Sequence, residues 1–172
     1  MSVIKILQYP DPRLKIKGEK VEEVNAEIRK MVNDMFETHY QTQNCAALAA
    51  TQLDFAHPKR ITVIDYSPQH NQPLCLINPE IIAADGEQYD AEGCMSVPAG
   101  VYEKVKRANK ITVRALNPEG RPIEFTAEGF LARCIQHELD HLDGKLFIDR
   151  ISQLKRSRAE KKIQNYYRQH DK

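Results

Sequence analysis

The sequence predicts an α+β fold in which antiparallel sheets pack around a central metal-binding helix, with one helix before them and one after. Three observations carry this. Apolar residues recur at spacings of three and four near both ends and again over 130–142. Between residues 61 and 125 the apolar segments are instead β-branched or alternating. The run Gln136-His137-Glu138-Leu139-Asp140-His141 sets two imidazoles four residues apart, with a carboxylate beside the first. On a helix, positions i and i+4 share a face one turn apart, so His137 and His141 can ligate one ion. Glu138 can then reach a water beside that ion, without ligating it, and take its proton as general base.

Residues 3–7 read as a short extended edge, closed by the rigid turn Tyr9-Pro10-Asp11-Pro12. Asn25 can cap a helix running to about Gln43, with Ile28, Met31, Val32, Met35 and Phe36 on its apolar face and His39 as a surface or satisfied side chain. Small residues from Cys45 to Gln52 let the backbone lie close against another element. Residues 61–65 form a strand, and 74–79 with Ile81 and Ile82 form another that is broken at Pro79. Residues 101–105 and 110–116 alternate like strands, and Asn117-Pro118-Glu119-Gly120 turns the chain into 122–125. Thr126 is the expected cap of the metal helix, Phe130, Leu131, Cys134, Ile135 and Leu142 its apolar stripe, and Gly144 its C′ residue. Residues 145–149 read as extended, and Ser152 caps a last helix over 152–169, packing through Ile151, Leu154, Ile163 and Tyr166.

With 172 residues, 41% of them hydrophobic, and a net charge of +1, the expectation is a single catalytic domain over 1–172 with a sizeable core. That charge excludes a whole-surface nucleic-acid binder. No apolar run reaches the length of a signal or membrane segment, so the expected compartment is the cytoplasm. Four separated cysteines without a CxxC pair suit a reducing setting. Charge is uneven only from Lys145 to Lys172, where nine Lys or Arg face three Asp or Glu, which fits either a solvated helix face or an anionic docking surface.

A catalytic metal usually takes three protein ligands. A three-histidine motif would need histidine at position 147, where Phe147 stands, and Glu160 lies in a basic stretch that reads as solvated. Cys94 is the best third ligand: a thiolate binds borderline ions strongly, and Gly93 allows a close backbone approach. Gln52, Glu92-Gly93-Cys94-Met95-Ser96 and His137-Glu138-Leu139-Asp140-His141, in this order, together with the opening Tyr9-Pro10-Asp11-Pro12-Arg13-Leu14, resemble the peptide deformylases over nearly the whole chain.

The resemblance implies a metal-dependent hydrolase that removes the formyl group from N-formylmethionine on nascent chains and releases formate. It implies that Cys94, His137 and His141 hold one divalent ion, usually Fe²⁺, with Zn²⁺, Ni²⁺ or Co²⁺ able to replace it. Glu138 is then the general base, and Gln52 and the Met95 backbone N–H receive the oxyanion. Glu92 pairs with Arg107, and Asp140 is a candidate to orient a ligand histidine. The methionine side chain enters beside Phe130, Cys134 and His137, near Arg133, while the peptide lies as an added strand between the loop at Ala47 and the segment at Gly93. Ribosome contact through the C-terminal helix is also implied, with no membrane and no sequence-specific nucleic acid. The chain departs from the family in reading Cys45-Ala46-Ala47-Leu48-Ala49 where Gly-x-Gly-x-Ala is usual, and in carrying Arg133 at an often apolar position. Any positive φ in that loop would now be strained. These departures define the alternative: a divergent paralogue with altered side-chain preference or a low-activity peptide-binding role. A zinc peptidase using Glu160 is the remaining reading.

Overall fold

The computed structural model describes residues 2–170. Helix α1 (Ala26–Gln41) precedes strands β1 (Ala47–Ala49), β2 (Ile61–Ile64), β3 (Leu74–Asp85), β4 (Gln88–Glu92), β5 (Glu103–Arg107), β6 (Lys110–Leu116) and β7 (Pro122–Glu128). Helices α2 (Gly129–Leu142) and α3 (Gln153–His170) follow. The strands make a five-stranded antiparallel sheet in the order β1-β2-β3-β6-β7 and a separate β4-β5 hairpin. This is the α+β arrangement expected, with α2 packed on the larger sheet.

The pleat explains the packing. Ile111, Val113 and Ala115 of β6 alternate inward and join Ile135 and Ala132 of α2 in one apolar cluster. On the other side α1 buries Ile28, Val32 and Met35 against Leu48, Ile61 and Val63. Asn25 caps α1 as expected, its side chain accepting from the Ile28 N–H at 3.0 Å. His39 is fully buried, with Nε2 2.8 Å from the Asp65 carbonyl. At the end of α2, Gly144 takes φ +77 and the N–H groups of Gly144 and Lys145 donate to the carbonyls of His141 and Asp140. That pattern is a Schellman cap.

Several expectations need correction. Strand β3 is not broken at Pro79. It runs through, and its register against β6 shifts between Ile77 and Glu80. Asn78 (φ +51) leaves the ladder there, donating its N–H to Arg60 and pairing its side-chain amide with the backbone of Val21, so Pro79 falls in a bulge that asks no N–H of it. Thr126 does not cap α2: it lies in β7 opposite Thr112, and the ladder continues to Glu128 before the chain turns at Gly129 (φ +59). The expected strand at 101–105 is displaced to β5. Residues 3–7 do not form a sheet edge but make one bridge, Ile6 to Leu53. The expected extended piece at 145–149 is a 3-10 turn over Phe147–Arg150, because the Asp149 carboxylate accepts from the Leu146 N–H at 2.9 Å and Phe147 and Ile148 are both buried.

Helix α3 packs through Ala159 and Ile163 against Leu7, Leu14 and Val105, while Leu154, expected in that contact, is 63% exposed. No helix among the described residues is long and apolar enough to cross a membrane.

Candidate active site

Three elements bring the chemistry together. Helix α2 carries His137 and His141 on one face; the turn after β4 supplies Cys94; the 3-10 turn Ala50–Gln52 after β1 supplies Gln52. His141 Nε2 lies 3.1 Å from His137 Nε2 and 3.2 Å from Cys94 Sγ. Their ligand atoms all fall within 4.8 Å of one another, and among the described residues no other group of this kind could hold a metal ion. Two imidazole nitrogens and a thiol converge here on one point, a donor set of the kind that ligates metals. A divalent ion of borderline softness fits them.

The surrounding charges fix how the rings sit. His137 Nδ1 is 2.8 Å from Glu92 Oε1, which leaves Nε2 to face Cys94 and His141. Glu92 takes a two-pronged contact from Arg107, with Nε and Nη2 each donating at 2.9 Å. Arg107 also donates to Asp140 at 2.6 Å, and Arg150 grips the same carboxylate at 2.5 and 2.6 Å. The expected Glu92–Arg107 pair is therefore present. Asp140, expected to orient a ligand histidine, instead braces Arg107, and Glu92 orients the ring. Burial opposes a charge on Glu92, but Arg107 and His137 hold its carboxyl down at about 2. For His137 burial acts downward and is outweighed by its hydrogen bonds to Cys94 and Glu92, which lift it to about 10. Burial and the neighbouring His137 charge push His141 well below its usual value. Extra protonation is thus favoured at His137 and opposed at His141, and metal ligation competes with it.

Glu138 is buried beside this group, and burial raises its carboxyl to about 7. Its Oε2 has no hydrogen-bond partner. Gln52 is held by the Ala49 N–H, which donates to its Oε1 at 2.8 Å, so that Nε2 points to Cys94 Sγ (3.4 Å) and Ser96 Oγ (3.2 Å).

These groups open onto a cavity of about 240 Å³. Ala47, Gly93, Met95, Phe130, Arg133 and Cys134 line it with Gln52, Glu138 and His137, so the residues singled out from the sequence are brought together. Glu160 is not among them: it accepts from Tyr9 Oη at 3.1 Å and pairs with Arg156 at 3.2 Å on α3. The glycine-poor loop carries no strain from its added Cβ atoms, because the one positive φ nearby belongs to Asn44, not to Cys45 or Ala47. Burial pushes the Cys45 and Cys134 thiols up to about 12, which keeps them protonated cavity walls.

Tyr102 and Arg150 were not singled out from the sequence, and Ser96 was quoted within its motif without a role. Gly93 held the signal for Tyr102, since a Cβ built there would lie 2.4 Å from the Tyr102 ring. Arg150 carried no motif.

Residues 3–157 match the family model described as polypeptide deformylase. The chain is 59% identical over 167 residues to peptide deformylase 1 of Coxiella burnetii, covering 97% of this chain and 98% of that protein. Among solved structures it is similar to a peptide deformylase from Legionella pneumophila, at 42% identity and TM-score 0.90 over 99% of both chains. It is also similar to the peptide deformylase of Ehrlichia chaffeensis in complex with actinonin, at 39% identity and TM-score 0.88, covering 98% of this chain and 99% of that one.

Proposed function

The chain belongs to the polypeptide deformylase family, and from that premise we propose how its residues remove the N-formyl group of newly made polypeptides. It is a hydrolase of the metal-dependent kind, releasing formate from the formylated methionine. Cys94, His137 and His141 hold the ion, Glu138 is the general base, and Gln52 with the Met95 N–H receives the oxyanion. One observation carries this reading: a thiol and two imidazoles converge beside a buried carboxylate oxygen that has no partner of its own.

When bound, the ion supplies Lewis acidity, polarising the formyl oxygen and making a water more acidic. Glu138, with its carboxyl at about 7, takes a proton from the attacking water and passes it to the leaving amine nitrogen as the formyl C–N bond breaks. Gln52 Nε2 donates to the oxygen that gains charge as the formyl carbon becomes tetrahedral, and the Ala49 contact holds that amide in place beforehand. The methionine side chain lies among Phe130, Cys134 and the His137 ring, and the peptide backbone runs between Ala47 and Gly93.

Fe²⁺ is the native ion in this reading, on a donor set that also suits Zn²⁺, Ni²⁺ and Co²⁺. The described chain acts as one catalytic unit in the cytoplasm, and the exposed cations Arg158, Lys161 and Lys162 on α3 support docking on ribosomal RNA phosphate.

The test is formate release from formyl-Met-Ala-Ser by protein loaded anaerobically with Fe²⁺. Glu138→Ala is expected to keep one ion per chain and lose at least ~10²-fold in kcat; normal turnover in that variant would overturn its role. Cys94→Ala is expected to lose the ion, and full metal content there would remove Cys94 from the ligand set.

A further inference from the structure

Arg133 lies one helical turn before His137, at i and i+4 on α2, and is the only lysine or arginine among the residues lining the catalytic cavity. Its side chain is only 18% exposed. Even so, its one ion pair is to Asp90 Oδ2 at 3.5 Å, and it makes no hydrogen bond among the described residues. A guanidinium has five N–H donors in a fixed fork, and leaving them unpaired while largely out of water costs free energy. The Phe130 ring, 5.0 Å from the guanidinium carbon, holds the fork by stacking without using any donor.

The place of this fork indicates what it meets. Phe130 is among the exposed large apolar residues and touches Tyr66 edge-on, so the Phe130–Arg133 pair stands at the cavity mouth. A methionine side chain offers no acceptor matched to a fork. With the methionine side chain placed among Phe130, Cys134 and the His137 ring, as the deformylase reading has it, the residues that follow pass this mouth. Asp90 is 62% exposed, so water takes it back readily when another carboxylate arrives. The other carboxylates of the cavity do not compete: Glu92 is locked to Arg107, and Glu138 sits beside the histidine pair.

We infer that Arg133 selects peptides carrying an acidic side chain in one of the two residues after the formylated one, the substrate carboxylate exchanging with Asp90 on the guanidinium. The inference rests on the deformylase reading and specifies its substrate class. Lysine or arginine at those residues is disfavoured by the same charge.

Steady-state formate release from formyl-Met-Asp-Ala and formyl-Met-Ala-Asp, each set against formyl-Met-Ala-Ala, reads the preference as a ratio of kcat/KM within one protein. Arg133→Met is expected to lower the larger acidic-to-neutral ratio about five-fold, mainly through KM, because a charge pair at a cavity mouth acts on binding rather than on the reacting bond. Asp90→Asn is expected to move the ratio the opposite way, and Arg133→Lys to restore part of it without the fork. Added NaCl should shrink the preference. An unchanged ratio in Arg133→Met, or a fall in Asp90→Asn, overturns the inference. Its failure is separable from failure of the deformylase reading, which would show as no formate from any of the three peptides. Calorimetric affinities of unformylated Met-Asp-Ala, Met-Ala-Asp and Met-Ala-Ala for the metal-loaded chain read the Arg133 preference without turnover. Equal affinities overturn the inference by that route.

Discussion

Arg107 sits between two buried carboxylates, Glu92 and Asp140, and its own side chain is almost wholly out of water. A charge in that setting is tolerable only because each partner is bonded in turn: Glu92 to His137, Asp140 to Arg150. Removing the central cation leaves two desolvated anions facing each other. Arg107→Met is therefore expected to cost about 3–5 kcal/mol of stability, read by urea unfolding, and to weaken metal retention by freeing the His137 ring. A loss below about 1 kcal/mol would mean that water reaches the carboxylates and the network is not a brace. Part of this network was legible through the family resemblance, which implied that Glu92 pairs with Arg107. Asp140 was misread as a histidine partner. Its true partner, Arg150, belongs to a 3-10 turn formed by an Asp149 side-chain contact, and no periodicity announces such a turn.

At the scale of elements, legibility followed period and capping. Helix α1 declared itself through Asn25 and an apolar face, and α2 through its stripe and Gly144; both are observed. Strand β4 was not found, because Gln88-Tyr89-Asp90-Ala91-Glu92 buries only its last residue and offers no alternation to read. It is held by the pairing of its backbone with β5, and its end delivers Cys94 to the site. For α3 the helix was correctly expected but the contact face was wrong at Leu154, since Ala159 and Ile163 make the buried side. The two leucine-like positions separate cleanly in a test. Ile163→Ala should destabilise the chain by about 2–4 kcal/mol through lost burial and the cavity left behind, whereas Leu154→Ala should stay within about 0.5 kcal/mol. Comparable losses in thermal melts of the two variants would refute this packing of α3.

For the whole molecule, two linkages connect chemistry to stability. The first is the ion. Cys94 follows β4 while His137 and His141 belong to α2, so a ligand shared by them ties the hairpin to the helix. A chelator should lower Tm by roughly 5–10 °C at metal concentrations about a hundred-fold above Kd, and a Cys94→Ala chain should show no such response. What the sequence could not convey here is the sheet order: β3 pairs with β6 across the β4-β5 hairpin, a crossing set by packing rather than by any local signal.

The second linkage is a single hydrogen bond with consequences at both ends of the pH scale. Tyr40 Oη donates to Asp65 Oδ2 at 2.8 Å, tying α1 to the loop after β2. Burial, joined by the Asp65 contact, pushes the Tyr40 hydroxyl up from 10.0 to about 12. Burial would also raise Asp65, but the hydrogen bonds from Ser67 and Tyr40 outweigh it and hold the carboxyl below 3.8. The signs follow from linkage. A lowered Asp65 contributes stability that is present above its ordinary value and lost as pH falls below 3.8. A raised Tyr40 contributes stability that is present below 10.0 and lost as pH climbs towards about 12. Tyr40→Phe removes the donor and the titrating hydroxyl together. Between those limits it should cost about 0.5–1.5 kcal/mol, and the gap between the two proteins should narrow both below pH 3.8 and above pH 10.0. Urea unfolding of the pair across pH measures this directly. A gap that stays constant through both edges would show that Tyr40 contributes by packing alone, and that Asp65 is held low by Ser67 without it.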